Sequence, residues 1–346
     1  MYKAFYYSML IFIILLMQGC MGKNKPGDEI RIIFSNNTSP ASDSVMTISS
    51  LRAVNDIFTF RYYGDYSDIL LRENQAIREK AKIACSLFSV NNENNMIFGR
   101  NLDLQFDLKN ILVGFYQPPE GYSSITICAL DFLIGNQEMY IDSLTDFTRS
   151  QILKTPFYAM DGINEMGLAV GIAAVESQKI AEGNKKEKID ILLLIRLILD
   201  NAASVDEAVK IADKYDVFDE DINTISHHYL IADSTGHSVI IEYQDGGMQF
   251  IYGENNSNYQ IITNSLVKDR TPKERNGNNR YIKMNKPLSN NDILTTDDAM
   301  QLLRKVSWGY YDGPGSQWSV VYNLKARTGF LTVDRKYSDI YVFSFD

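Results

Sequence analysis

The chain has 346 residues, 45% of them hydrophobic and 22% charged, the balance of a globular protein able to bury a core in one large domain or two modest ones. A net charge of −9 with few basic clusters argues against nucleic acid as a partner. Three cysteines (Cys20, Cys85 and Cys128) are too few for a disulfide scaffold, and without a CxxC pair or a matching His–carboxylate pattern neither a metal nor another cofactor is expected.

The first segment is "MYKAFYYSMLIFIILLMQGC", one early lysine followed by an apolar run from Met9 to Met17. That run is about half of what a permanent membrane helix needs, so residues 1–19 read as an export signal. With Gly19 before Cys20 it resembles a bacterial lipoprotein signal, although Met17 and Gln18 depart from the usual residues. The resemblance implies cleavage before Cys20, lipid on that residue, and a mature protein anchored to a membrane in the cell envelope, facing away from the cytoplasm. An ordinary signal peptide with an incidental cysteine is the other reading. "MGKNKPGD" then supplies a polar tether.

Beyond it, "EIRIIFSN" reads as a strand, "IFTFRYYGDY" has β character, and "SDILLRENQAIREKAKI", from Ser67, has helical composition. From Cys85 the strands come close together: "CSLFSVN", "NMIFGRNLD", "ILVGFYQ" and "SSITICALDF". Cys128, inside the last, reads as a small buried hydrophobe. "MDGINEMGLAVGIAAVE" reads as a Gly-Asn turn followed by an apolar strand, and "GNKKEK" at 183–188 as a solvated loop. "KIDILLLIRLILDNAASVDEAVKIADKYD" is a helix pair broken at Asn201, the second helix capped by Ser204 with Glu207 three residues on. "HHYLIADSTGHSVIIEYQDGGMQFIYG" predicts a hairpin or meander turning at Ser-Thr-Gly, and "TTDDAMQLLRKVS" a threonine-capped helix. The C-terminal stretch from Trp318 returns to strands, which together suggests helices layered on sheets.

A lone cysteine becomes a nucleophile only as a thiolate, so Cys85 needs a base or cationic surroundings. His227 and His228 begin one strand and His237 follows a turn, positions where histidine is more often core or surface than base. If Cys85 were the first residue of a mature chain, its α-amine, with an intrinsic pKa near 8, could serve instead. Arg100 would then lower the thiol pKa and Asp103 would orient both groups.

Cys85 with "GRNLD" (Gly99 to Asp103) resembles the N-terminal-nucleophile amide hydrolases of the choloylglycine hydrolase type, whose relatives include acid ceramidase and N-acylethanolamine acid amidase. Further matches follow in order: "DGINEMGLAVG" from Asp161, "HHYLIADSTGHSVIIEY", "ITNS" at 262–265, "NNRY" at 278–281 and "QWSVVYNLKARTGFLTV". The resemblance implies an α+β fold, a four-layer αββα sandwich of antiparallel sheets, with catalytic groups at strand ends. It implies Cys85 as nucleophile and, through its freed amine, as base. Arg100 and Asp103 would set thiol and amine, Asn264 would offer its amide to the oxyanion, and Arg280 would complete the polar site. Asn164 reads as holding its turn, and Glu176 falls close to a glutamate of the ceramidase-like relatives. Where bile-salt hydrolases keep an asparagine this chain has Ala174, which places bile salts in doubt.

The implied organisation is a signal at 1–19, a tether and propeptide at 20–84, and a catalytic domain at 85–346, separated by self-cleavage between Ala84 and Cys85. The implied activity is hydrolysis of a linear amide C–N bond in a small N-acyl substrate. An acyltransferase of the penicillin-acyltransferase type and a catalytically silent envelope lipoprotein that binds a ligand are the competing readings.

Overall fold

The computed structural model describes residues 28–34, 42–66, 83–92, 95–180, 186–219, 224–253, 257–275, 279–293, 295–310 and 313–345. The export signal with Cys20 and the segment from Ser67 to Lys82, read as helical, lie outside the described residues.

Two large sheets carry the fold. One has eight strands and includes the hairpin of Ile83–Asn92 with Asn95–Leu104, flanked by Gly313–Asn323 on one side and Tyr259–Ile262 on the other. The other has nine strands and centres on Ser124–Ala129, Asp161–Asn164, Ala169–Lys179 and Thr224–Ala232. Alternate residues of a strand face opposite sides, and three separate apolar clusters result. Phe88, Val90, Ile97 and Val321 pack outward against helices Arg280–Ser289 and Thr296–Val306. Cys85, Leu87, Phe98, Leu102 and Val320 face the second sheet, meeting Ala169, Ala173 and Leu230. Val170, Ile172, Tyr229 and Ile231 point the other way, against helices Ile191–Asn201 and Val205–Ala212. Three apolar interfaces make four layers, the αββα sandwich, its two sheets antiparallel except for one parallel pairing in each.

Local chemistry explains the helix ends. Ser204 accepts from the Glu207 N–H, and Thr295 forms a reciprocal cap with Asp298. Two details differ from the sequence reading. Gly162 and Asn164 lie within the strand Asp161–Asn164, and the turn comes later, at Gly167 with φ +79°. A Cβ there would sit 2.3 Å from the Leu324 carbonyl oxygen, so glycine is required on two counts. Part of "GNKKEK" is also not loop: Glu187–Asp190 is a short strand paired in parallel with Tyr215–Phe218.

The segment before Cys85 is built into both sheets. Asp28–Arg31 pairs in parallel with Asp339–Ser344 at one sheet's edge, while Ile57–Tyr62 pairs in parallel with Ile111–Tyr116 in the other. Leu51, Phe60, Tyr62 and Tyr66 are buried there.

Candidate active site

Cys85 is the third residue of its strand and completely buried. Its register partners are Leu102 for Cys85 and Arg100 for Leu87, so the side chains of Cys85 and Arg100 share the inner face of the hairpin. The Arg100 guanidinium donates from Nη2 toward Sγ at 3.7 Å and toward the Ile172 carbonyl at 3.4 Å. Burial pushes the thiol pKa up, and the Arg100 charge pulls against it.

Asp103, three residues from Arg100, lies on the opposite, helix-facing side of the same strand. There Arg280, the first residue of its helix, gathers the groups around Cys85. Its Nη1 donates to the Cys85 carbonyl (2.9 Å), the Ser86 hydroxyl (3.1 Å) and Asp103 Oδ2 (2.9 Å), and its Nη2 donates to Asn264 Oδ1 (2.5 Å). Ser316 donates to the other Asp103 oxygen at 2.5 Å. A bulge between Ser316 and Trp318 in the Gly313–Asn323 strand aims that hydroxyl at the carboxylate. Burial lifts the Asp103 pKa to about 6, with the Arg280 charge and the Ser316 hydrogen bond opposing.

Asn264 closes the site from the end of the Tyr259–Ile262 strand. Its Oδ1 accepts the Cys85 backbone N–H at 3.0 Å, and its Nδ2 donates to the Ala174 carbonyl at 2.7 Å. Cys85 N and Arg280 Nη2 are both donors, so the atom they meet must be the oxygen and the amide orientation is fixed. Asn264 therefore holds the Cys85 nitrogen, a contact the sequence reading, which gave its amide to an oxyanion, did not include.

Cys85, Arg100, Asp103, Asn264 and Arg280 thus come together. Asn164 does not join them: its Nδ2 donates to the Leu199 and Ala202 carbonyls at the end of a helix, and its Oδ1 accepts the Met166 and Leu168 N–H groups, holding the turn. Glu176 is exposed and pairs with Arg270 at 2.8 Å, away from this cluster. The histidines also bond elsewhere. His227 meets Asp219, His237 meets Thr235, and His228 is buried between Glu242 and the Thr263 carbonyl. Cys128 is buried and unpaired, as a small hydrophobe should be.

Sequence reasoning missed the group behind Arg100. Asp161, at the head of its strand in the second sheet, pairs with Arg100 Nη1 and also accepts from Trp318 Nε1 (3.1 Å) and the Tyr322 hydroxyl (2.6 Å). Trp318 and Tyr322 alternate with Val320, which faces Arg100 in register, so a period-two reading of "WSVVY" would have put both indole and phenol on the arginine's face.

A family model described as acyl-coenzyme A:6-aminopenicillanic acid acyl-transferase matches residues 90–319, starting just beyond Cys85. A penicillin V acylase from Pectobacterium atrosepticum is 36% identical over 119 residues, covering 32% of this chain and 31% of that protein, so the match spans about a third of that relative. Two variants of a conjugated bile acid hydrolase from Clostridium perfringens superpose with a TM-score of 0.52 at 16% and 15% identity, over 72% of this chain and 89% of theirs. They share its fold. The family match over most of the chain places the protein in the acyl-coenzyme A:6-aminopenicillanic acid acyl-transferase family.

Proposed function

We propose that this chain is an amidase that hydrolyses the linear amide C–N bond of a small N-acyl compound, with Cys85 as nucleophile and its own α-amine as base. The observation that carries this reading is the convergence on one residue. Asn264 holds the nitrogen of Cys85, Arg280 its carbonyl and Arg100 its sulfur, and no histidine contacts it among the described residues. The amine becomes a base only after the Ala84–Cys85 bond is cut, because an amide nitrogen does not accept a proton near neutral pH. The thiol makes that cut itself. Sγ attacks the Ala84 carbonyl carbon, the C–N bond breaks, and the thiol proton ends on the Cys85 nitrogen. Water then opens the thioester, leaving an Ala84 carboxylate and a free thiol.

Turnover repeats the pattern on substrate. The amine takes the thiol proton as Sγ attacks the acyl carbon, then passes it to the leaving amine. Water releases the acid from the acyl-enzyme. Arg280 is placed to offset negative charge developing beside Cys85, and Asn264 presents its Oδ1 to the Cys85 nitrogen. The severed segment stays bound, since its strands belong to both sheets. The relatives are named as an acylase and a hydrolase and the family model as a transferase, which together favour acyl transfer through a common acyl-enzyme. A transferase would admit an amine where the hydrolase admits water, and product analysis with added amines separates them. Lipid at Cys20 would hold the protein on the envelope membrane. Fatty-acid label lost in Cys20→Ser supports that anchor, and label that persists refutes it.

Cys85→Ala is the central experiment. It should abolish hydrolysis of N-acyl amides and leave one uncut chain on a denaturing gel, where the unaltered protein gives two. A fully active protein that stays a single uncut chain would refute the mechanism, as would a folded His228→Ala variant as inactive as Cys85→Ala.

A further inference from the structure

The thiol's cation is itself held from behind. Arg100 comes from one sheet and Asp161 from the other, so their pair crosses the space between the two layers. Both side chains are completely buried. Asp161 is satisfied on three sides, by Arg100 Nη1, the Trp318 indole N–H and the Tyr322 hydroxyl. The guanidinium also lies over the Trp318 ring, 5.3 Å from its centroid. The packing at this crossing is tight: Gly171 pairs with Asp161, and a Cβ on it would come within 2.8 Å of Leu87 and 3.4 Å of Asp161 Cβ. With Nη1 engaged by the carboxylate, the guanidinium plane is fixed and Nη2 is left facing the sulfur.

We propose that Asp161 is a positioning residue for the reaction at Cys85: it fixes the Arg100 guanidinium against the thiol and offsets part of its charge, setting how much positive field the sulfur feels. This inference rests on the reading of Cys85 as nucleophile. A lone buried arginine would favour the ionised thiol against the burial that disfavours it. A neutral Arg–Asp pair leaves it a thiol whose proton can pass to the nearby amine, as an acyl transfer of this kind requires.

The other charged groups around the sulfur do not replace this one. Asp103 from the same strand as Arg100 and Arg280 from the overlying helix are paired with each other. His228 and Glu242, from neighbouring strands of the second sheet, are buried together, with Glu242 also accepting the Val267 and Lys268 N–H groups. Tyr322 bears on the thiol through Asp161.

The test is a pH titration of the Cys85 thiolate by its ultraviolet absorbance in the full chain, taken as a difference against the Cys85→Ser form of each variant so that Cys128 and the tyrosines cancel. Asp161→Asn keeps the shape and removes the compensating charge, so the thiol midpoint should fall by about one pH unit or more. Tyr322→Phe removes a hydrogen bond that drains charge from Asp161, and its midpoint should move slightly the other way. A purely structural Asp161 would change stability and leave both midpoints in place, and that result overturns the proposal. If Asp161→Asn fails to fold, an unmoved midpoint in Tyr322→Phe overturns it alone. The titration needs no turnover, so it stands apart from the fate of the amidase reading, which Cys85→Ala decides.

Discussion

Among the described residues, two of the buried arginine–aspartate pairs share nearly the same construction. Arg100 pairs with Asp161 between the two sheets. Arg196 pairs with Asp200 at 2.6 Å beneath the second sheet's helix layer. In each, the guanidinium lies over aromatic rings, Trp318 in one case, Tyr66 and Tyr116 in the other. In each, a tyrosine hydroxyl donates to the carboxylate, from Tyr322 or from Tyr66. They differ in what else the guanidinium meets. Arg196 uses one nitrogen, Nη2, for both Asp200 and the Ser124 hydroxyl, whereas Arg100 pairs with Asp161 through Nη1 and turns Nη2 toward a thiol with a second arginine-centred cluster around it. A buried ion pair is thus a structural solution by default, and it becomes chemical machinery only where a reactive group completes it.

The sharpest way to break the comparison is to remove each arginine. Arg196→Met leaves Asp200 buried without its cation and should cost about 3–5 kcal/mol of stability. It should leave the Cys85 titration and the proposed Ala84–Cys85 cut unchanged in whatever folds. Adding Asp200→Leu should recover much of that loss, because a buried ion pair replaced by apolar groups of similar volume is close to neutral. Arg100→Met should cost a similar amount and also raise the thiol midpoint. Chemical denaturation read beside thiol titration checks both. A thiol that responds equally to the two arginines would erase the distinction.

Asn264 is the next largest effect, and nothing like it stands beside Arg196. Asn264→Ala should reduce the rate by roughly a hundred-fold or more, on the order of 3 kcal/mol. Asn264→Asp separates its two ends, keeping an oxygen for Arg280 and the Cys85 nitrogen while losing the donor to Ala174. An aspartate variant that retains measurable cutting and turnover assigns the role to Oδ1. One as inactive as alanine assigns it to the N–H.

Burial raises the carboxyls of Asp200 and Asp103, and Asp103, at about 6, titrates where function can register it. A carboxyl with a folded pKa above its unfolded value near 3.9 contributes stability that is complete below about pH 4 and lost as pH rises to about 6. Its ionised form is the one that pairs with Arg280, so activity should run the opposite way, falling as pH drops through about 6. Asp103→Asn should flatten the stability slope in that window. An unchanged slope would mean that another group titrates there. The contribution of Asp103 to stability is thus largest where its ion pair with Arg280 is absent.

How much of this was legible beforehand depended on chain separation. The Ser204 and Thr295 caps were readable because a cap and its partner lie three residues apart. Cys85, Arg100 and Asp103 were readable through their motif, and Asn264 and Arg280 through theirs. The division of the site between two faces of one strand was implicit in the odd spacing of Arg100 and Asp103. The Arg100–Asp161 pair bridges two sheets, and no local period links those positions. The helix starting at Arg280 was missed for a different reason: its sequence, "RYIKMNKPLS", holds a proline and weak amphipathicity, and it is set by packing of Tyr281, Met284 and Leu288 against the sheet. Tertiary burial overrode propensity there.

Glu176 supplies the smallest expected effect and the control for the whole comparison. Its pairing with Arg270 has good length, 2.8 Å, yet the two side chains are 59% and 42% exposed. Water screens such a pair, and holding two long side chains together costs rotamer freedom, so exposed pairs contribute about 0–1 kcal/mol. The strand that carries Glu176 reaches the site at Ala174, whose carbonyl accepts from Asn264. Two residues further on, the same face has already reached solvent. Glu176→Ala should therefore change stability by less than about 1 kcal/mol and turnover by less than a few-fold, with the chain still cut after Ala84. A tenfold or greater loss of turnover in a stable, normally cut Glu176→Ala protein would place this carboxylate in contact with substrate. That would restore the role its sequence position suggested and make an exposed ion pair, rather than a buried one, the working member of the set.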